Sequence, residues 1–469
     1  MINIKKKINI RYVNNSFLIN SLDEYSLFNT LDKLSKLLIN YFHDNKEIMI
    51  SINLFNKKNI QNYVNNFVIF LSKYFQIYQL KNVFLIANEL IYFTKEKNKY
   101  NNLIHIYYDS DNSLLIVEFD CQSNFKLENI YNDLISDTKI NNNFNNNLPS
   151  NIINLDFQTI VNDFLSSEII NNNFKNLKER YKAEIKLIVK NSKYKEIINN
   201  LTNNYNAKIN SFIHNRHFVN DAIFIFEKNL NLSLSIRTNK KFLKLDKNTI
   251  ILLYLNFLLE ELKRNKFNLN NYSVCISNDA DMRIIKLLNH YHVNYYYDKH
   301  SNINFSNLLF SYDNKKVNSF PATVKYDNIF YFYLCLIWML NIYKNRNNLL
   351  LFKYKQVINL YGIYKTIVKK INLKNIDINI FKSKLINKLE NYKKSIDFKS
   401  YILINKLENY KFYLANIQTN ENDNILLFYD YITNKINIKF NLCKEKKYQI
   451  FNWKLNYLKY KKIIKKIIN

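Results

Sequence analysis

The chain has 469 residues, and 48% of them are hydrophobic, which is enough to bury more than one core and too much for a disordered protein. It contains one glycine and two prolines, so glycine-rich nucleotide-binding loops are excluded. The formal net charge of +30 is spread along the chain, and we attribute it to codon usage in an AT-rich genome and a solvated surface rather than to a nucleic-acid site.

Cysteine spacing and hydropathy bear on the location of the protein. The four cysteines are far apart and form no CxxC pair, which predicts a reduced, cytoplasmic protein. Residues 329–342 are apolar except for Asn341, but the run is shorter than the roughly 20 residues that cross a bilayer, so we predict a buried helix and no membrane partner. The lysine-rich tail from Lys459 to Lys466 is the strongest local basic cluster, and it fits an amphipathic terminal helix equally well.

In the first third of the chain, short apolar runs alternate with helical periodicity. We predict strands at residues 47–54, 82–86 and 103–108 and a helix at residues 60–75. An asparagine-rich run at residues 141–147 is the clearest linker. This alternation is typical of an α/β layer.

The same alternation continues through the middle of the chain and then changes. Strands are predicted at residues 184–189, 222–226, 272–276 and 293–297, and helices at residues 249–263 and 284–291. The C-terminal part has strands at residues 412–415, 425–429 and 436–440 with flanking helices. The sequence therefore predicts three successive α/β units followed by an α+β unit.

Several segments, taken in order, resemble a known family. They are residues 241–246 with the helix that follows them, Tyr291-His292-Val293, Leu309-Phe310-Ser311-Tyr312, and residues 357–364 around Gly362. In this order and spacing the chain resembles the α-D-phosphohexomutases, which include phosphoglucomutase and phosphomannomutase. Gly362 falls in a structural turn of that pattern, not in a catalytic loop.

The resemblance implies four domains around a central cleft, each contributing one loop. The expected domains are residues 1–147, 148–240 (shortened), 241–350 and 351–469. The family's activity is an intramolecular phosphoryl transfer that interconverts hexose 1-phosphates and hexose 6-phosphates. A hexose phosphate is accordingly the implied ligand.

The first implied loop carries the phosphorylated serine of the family. It corresponds to residues 109–113, with Ser110 at the nucleophile and Asn112 at the amide position. Asp111 replaces the family's histidine, and Asp109 adds a second carboxylate. Two carboxylates next to the serine would disfavour a phosphoryl dianion on it, because like charges repel.

The second implied loop binds Mg²⁺ through three carboxylates and the serine phosphate. Here Glu227, Asn229 and Asn231 occupy the alternate ligand positions, with Ser110 completing the set. The family's loop has three carboxylates, whereas this loop has one. In addition, Leu232 replaces an arginine and Lys228 adds a positive charge. Because Mg²⁺ is usually bound by carboxylates, we expect weak binding or none.

The remaining two loops bind the sugar and the substrate phosphate in the family. Asp313 and Asn314 take the sugar-loop positions, and the glycine of that loop is absent. The phosphate-loop positions are taken by Asn416, Thr419, Asn420 and Glu421. Asn416 replaces an arginine, so the main charge-assisted phosphate contact is lost.

Three functions remain open at this level. The first is a phosphohexomutase-like protein with weak or lost activity, which keeps the fold for interaction or weak sugar-phosphate binding. The second is an active phosphoglucomutase or phosphomannomutase that uses phospho-Ser110 and Mg²⁺. The third is a basic scaffold that associates with nucleic acid. The degraded loops favour the first of these, since fold alone does not fix function.

Overall fold

The structure is a computed structural model, and it divides the chain into two compact units, Met1–Ser167 and Glu168–Asn469. The residues that it describes are 10–13, 15–20, 24–42, 47–54, 58–81, 86–109, 113–121, 124–136, 148–167, 182–204, 207–209, 221–228, 230–238, 241–278, 280–297, 307–312, 317–318, 329–372, 381, 383, 385–388, 398–408, 411–419, 423–433, 435–444 and 452–468.

The first unit is built on a seven-stranded mixed sheet in the order β1-β2-β6-β5-β3-β4-β7. Its strands are β1 (Ile10–Val13), β2 (Ser16–Asn20), β3 (Glu47–Asn53), β4 (Gln76–Lys81), β5 (Leu103–Asp109), β6 (Leu114–Asp120) and β7 (Ile152–Asn154). Strands β5, β3, β4 and β7 run parallel, whereas β1, β2 and β6 add an antiparallel edge. The unit includes β7, which pairs with β4, and reaches Ser167.

Five helices accompany this sheet: α1 (Glu24–Tyr41), α2 (Lys58–Leu71), α3 (Asn88–Lys97), α4 (Asn124–Ile135) and α5 (Phe157–Ser166). Helix α1 contacts α2 and α4, and apolar side chains such as Leu31, Val64 and Ile130 join the strands in one core. Helices α3 and α5 meet through the edge-to-face rings of Phe93 and Phe164, whose centroids are 5.4 Å apart.

The predicted strand at residues 82–86 lies almost wholly outside the described residues, and strand β4 directly before it was not predicted. Of that range only Ile86 is described, and it lies outside any strand. The asparagine-rich linker at residues 141–147 lies outside the described residues.

The second unit contains three sheets. The first has five strands in the order β12-β11-β10-β8-β9, and the second has four in the order β14-β13-β15-β16. Their strands are β8 (Ala183–Val189), β9 (Ala207–Ile209), β10 (Ala222–Phe226), β11 (Leu232–Arg237), β12 (Phe242–Lys244), β13 (Ser273–Ile276), β14 (Asn294–Tyr296), β15 (Leu308–Tyr312) and β16 (Val317–Asn318). Each sheet combines a parallel centre with an antiparallel edge.

Helices α6 (Lys195–Asn204), α7 (Lys247–Arg264), α8 (Met282–His290), α9 (Ile329–Asn345) and α10 (Leu350–Tyr361) surround these sheets. The long apolar helix α9 is almost wholly buried, as predicted. Its Tyr333 packs edge-on against Phe224 and bonds Thr202 through the two hydroxyls at 2.8 Å, and its Asn341 accepts the Ala183 N–H at 2.7 Å. Within the described residues, no helix is long and apolar enough to cross a membrane.

The last sheet has five antiparallel strands in the order β17-β21-β20-β19-β18. They are β17 (Ile363–Asn372), β18 (Phe398–Glu408), β19 (Lys411–Thr419), β20 (Asn424–Asp430) and β21 (Lys435–Lys444), and helix α11 (Asn452–Ile468) packs on β21. This confirms the predicted α+β architecture of the C-terminal part. Gly362 joins α10 to β17 with φ 88° and ψ 173°, so it is the structural turn that the sequence indicated.

Candidate functional site

The predicted metal loop is the connection between β10 and β11. Phe226 and Leu232 pair across the two strands, and the Glu227 N–H donates to the Asn231 carbonyl at 3.0 Å. Leu230 adopts a left-handed conformation with φ 62°, and its N–H donates to the Glu227 carbonyl at 2.9 Å. The loop is therefore a tight hairpin, closed by its own backbone. Asn229 lies outside the described residues.

The carboxylate of Glu227 already has a cation. Its Oε2 lies 2.5 Å from the Nζ of Lys190, and both side chains are partly exposed. The pairing follows from sheet register: β8 and β10 are parallel with Val189 opposite Phe226, so the next residue of each strand emerges at the same edge. The Lys190 N–H also donates to the Phe226 carbonyl at 2.9 Å.

This ion pair decides how well the loop fits Mg²⁺. The ion needs several oxygen ligands and is usually bound by carboxylates, whereas the one carboxylate of this loop faces an ammonium group. Lys228, also in the loop, is exposed and adds a second positive charge. Within the described residues, no group of three or more His, Cys, Asp or Glu side chains could hold a metal ion. The residues described here do not fit Mg²⁺.

The predicted phosphoserine loop connects β5 to β6. These strands pair antiparallel, with Asp109 opposite Leu114, and Ser113 has a φ of 54°. Ser110 and Asn112 themselves lie outside the described residues, as does Asp111. Their assignment stays a prediction.

The predicted sugar loop connects β15 to β16. Tyr312 pairs with Val317 across the hairpin, and its hydroxyl bonds the side-chain oxygen of Asn248, next to the start of α7. Asp313 and Asn314 lie outside the described residues. Their role as sugar ligands stays a prediction.

The predicted phosphate loop connects β19 to β20. Asn416 lies within β19, where its side-chain oxygen accepts a hydrogen bond from the Asn424 amide. Thr419 is buried, and its hydroxyl oxygen accepts the Asp423 N–H at 3.1 Å. The Thr419 hydroxyl thus closes its own hairpin. Asn420 and Glu421 lie outside the described residues.

All four predicted loops share one structural setting. Each connects two neighbouring antiparallel strands of one sheet: β5 to β6, β10 to β11, β15 to β16, and β19 to β20. In the first three sheets the strand before the loop also has a parallel neighbour. Each of the four loops assigned from the resemblance therefore connects a β-hairpin, one in each of four sheets.

One buried polar cluster was not predicted from the sequence. Arg283 in α8 forms a two-pronged contact with Asp281, Nε to Oδ1 at 3.0 Å and Nη2 to Oδ2 at 2.6 Å, and it reaches the Thr249 hydroxyl at 3.3 Å. Burial alone would lower the pKa of Arg283, but the hydrogen bonds and charge of Asp281 raise it above its usual value. The cluster satisfies itself, so we interpret it as structural. The Asp-x-Arg spacing before a helix was its sequence signal.

Comparison with known proteins gives a clear structural match. Neither protein-family models nor curated proteins match the sequence. Among solved structures, a phosphoglucomutase/phosphomannomutase family protein from Burkholderia thailandensis is 9% identical, with a TM-score of 0.62 and 97% of both chains covered. The chain has the phosphohexomutase fold.

Two further structures agree with this fold. A putative phosphomannomutase from Thermus thermophilus is 9% identical over 96% of this chain and 99% of its own, with a TM-score of 0.59. The open form of pp63/parafusin, a phosphoglucomutase from Paramecium, is 10% identical over 94% and 92%, with a TM-score of 0.56. The predicted fold class is thus confirmed at a sequence identity that leaves activity undecided.

Proposed function

We propose that this chain is a phosphohexomutase-like protein in which phosphoglucomutase and phosphomannomutase activity is weak or lost. The observation that carries the proposal is the ion pair between Glu227 and Lys190. It gives the only carboxylate of the predicted metal loop a cation from the protein itself. A metal ion would compete with the Lys190 ammonium for that carboxylate.

The predicted phosphate loop supports the same conclusion. A phosphate site needs donors that point outward, and guanidinium groups or backbone N–H groups usually supply them. Here Asn416 replaces the expected arginine within β19, and the buried Thr419 hydroxyl bonds within its own hairpin. Neither side chain offers the charge-assisted contact that the family's chemistry requires.

A residual role in ligand binding remains compatible with these residues. Lys190 and Lys228 place two ammonium groups at one edge of the β8–β12 sheet. Lys228, with Lys190 already paired to Glu227, would attract the phosphate of a hexose phosphate weakly and without a metal ion, since a lysine binds phosphate as a point charge and with less directional control than an arginine. We therefore assign weak hexose-phosphate binding, or a role in interaction, to the retained fold.

An activity assay tests the proposal. The purified chain is incubated with a hexose 1-phosphate and Mg²⁺, and formation of the 6-phosphate is compared with that of Ser110→Ala. We expect little or no conversion above the background rate of Ser110→Ala. Efficient Mg²⁺-dependent conversion that Ser110→Ala abolishes would refute the proposal and establish an active mutase that uses Ser110.

A further inference from the structure

The C-terminal helix α11 has two faces of different chemistry. Its inner face packs on the last sheet: Tyr460 and Ile464 are buried, and Tyr457 lies edge-on to Phe440 with ring centroids 5.3 Å apart. Asn456 anchors the same face by donating to the Asp423 carboxylate at 3.2 Å. The rotation of the helix about its axis is therefore fixed.

The opposite face, which we call the lysine face, points to solvent. It consists of Lys454, Leu455, Leu458, Lys459, Lys461, Lys462 and Lys465, all of them exposed. Leu455 and Leu458 are 62% and 58% exposed, and α11 contains no acidic residue. With 3.6 residues per turn, the two leucines share a stripe with Lys462 and Lys465. Lysines also flank that stripe on both sides, so the leucines lie inside a basic field.

Because leucines and lysines share this exposed face, some anionic partners fit it better than others. A polyanion such as a nucleic acid would pair with the lysines and leave the two leucines in water. An anionic lipid surface satisfies both groups, because leucines enter the boundary of the acyl chains while lysines meet the headgroups. We propose that the lysine face of α11 docks the protein onto bilayers that contain anionic lipid. Such contact is peripheral and needs no membrane-spanning helix, and it departs from the expectation of no membrane partner that was drawn from the sequence.

Vesicle binding by the full chain tests the charge part of the proposal. Sedimentation with phosphatidylcholine vesicles, with and without phosphatidylserine, should show binding only when the anionic lipid is present. The triple variant Lys461→Gln/Lys462→Gln/Lys465→Gln should bind about 100-fold more weakly, since each lysine near such a surface contributes about fivefold.

A matched control separates a local surface from the general charge of +30. Lys365, Lys369 and Lys370 are three exposed lysines of β17 in the same unit. Their triple glutamine variant has the same net charge as the α11 variant and should keep nearly all vesicle binding. Equal losses in the two triple variants would overturn the proposal, because binding would then follow net charge alone.

The leucines test the choice of lipid over nucleic acid. Leu455→Asn/Leu458→Asn should weaken vesicle binding roughly tenfold through lost apolar burial, and should leave binding to duplex DNA unchanged. Unaltered vesicle binding in this double variant would contradict lipid docking. Tighter binding to DNA than to vesicles in the unmodified chain would assign the lysine face to nucleic acid instead. All substituted positions are exposed. Thermal unfolding of each variant is the control that checks whether it folds.

Discussion

Gly362 lies in a backbone region that other residues avoid. With φ 88° and ψ 173° it is outside the left-handed helical region, and this extended region with positive φ is essentially restricted to glycine. At seven other described positions the chain uses non-glycine residues with φ between 54° and 62°, including Lys99, Leu230 and His292. Those left-handed positions are strained for such residues but accessible. The one glycine is retained where no substitute is available.

Replacing Gly362 should therefore destabilise the second unit through backbone strain. A Cβ at this position would lie 3.6 Å from Cε2 of Tyr364, an ordinary contact, so crowding contributes little. We expect Gly362→Ala to lower the free energy of unfolding by about 1–3 kcal/mol. Both tryptophans, Trp338 and Trp453, lie in this unit, so urea denaturation followed by tryptophan fluorescence reports it.

His292→Gly is the natural control for that experiment. His292 has φ 55°, and the sequence resemblance placed it where the family has the glycine of Tyr-Gly-Val. Removing its left-handed strain should raise stability by about 0.5–1 kcal/mol after the extra chain entropy of glycine is subtracted. Opposite signs for the two variants are expected, and loss of stability in both would contradict this explanation.

The buried pair of Arg283 and Asp281 differs in kind from the pair of Lys190 and Glu227. Arg283→Met leaves a buried carboxylate without its partner, and we expect a loss of about 3–5 kcal/mol in unfolding free energy. Lys190→Met breaks a half-exposed pair in the same unit, and we expect a loss below about 1 kcal/mol. Similar losses in urea denaturation would show that the cluster around Arg283 is not structural.

At the scale of elements, most of the helices and strands that the sequence predicted are present, because their apolar periodicity is strong. The strand Ala222–Phe226 has the predicted bounds, and helix α7 extends the predicted helix by a few residues at its ends. Strand β4 was missed because Gln76, Gln79 and Lys81 dilute its apolar pattern, although Ile77 and Leu80 are buried. The neighbouring run at residues 82–86 is more apolar, so the strand was predicted there.

Helix capping supplies a prediction at this scale. At the start of α7, Asp246 accepts the Thr249 N–H at 3.0 Å, whereas Leu349, the N-cap residue of α10, makes no side-chain cap hydrogen bond. We expect Asp246→Ala to cost about 1 kcal/mol and Leu349→Asp to add about 1 kcal/mol of stability. Leu349 is largely exposed, so its replacement removes little packing. Urea denaturation of both variants checks the pair, and a destabilised Leu349→Asp would contradict the argument.

For the whole molecule, the prediction of the fold depended on several segments that occur along the chain in the same order as in the family. No single motif was sufficient. The order of the segments assigned one candidate loop to each of four sheets, and each loop connects a hairpin. Lys190 could not be found in this way, because its position beside Glu227 depends on the parallel register of β8 and β10. A contact between strands that are distant in sequence is invisible to loop-by-loop comparison. The four-domain division and the roles of the loop residues stay predictions.

The buried tyrosines of the second unit make its stability sensitive to alkali. Burial raises the pKa of Tyr254, Tyr331, Tyr333 and Tyr343 above the ordinary value, and raises that of Tyr297 to about 12. The unfolded chain ionises first, near pH 10, so the folded state loses relative stability as the pH rises above about 10. Urea denaturation at increasing pH should show this decline. A free energy of unfolding that stays constant up to about pH 11 would contradict it.

In the function proposed above, Lys190, and not a metal ion, is the counterion of Glu227. Calorimetric titration of the purified chain with Mg²⁺ tests it most directly, with Glu227→Gln as the control and Lys190→Met as the variant that frees the carboxylate. We predict no saturable heat in the unmodified chain up to millimolar Mg²⁺, the same result for Glu227→Gln, and weak binding only in Lys190→Met. Submillimolar binding by the unmodified chain that disappears in Glu227→Gln would contradict the claim.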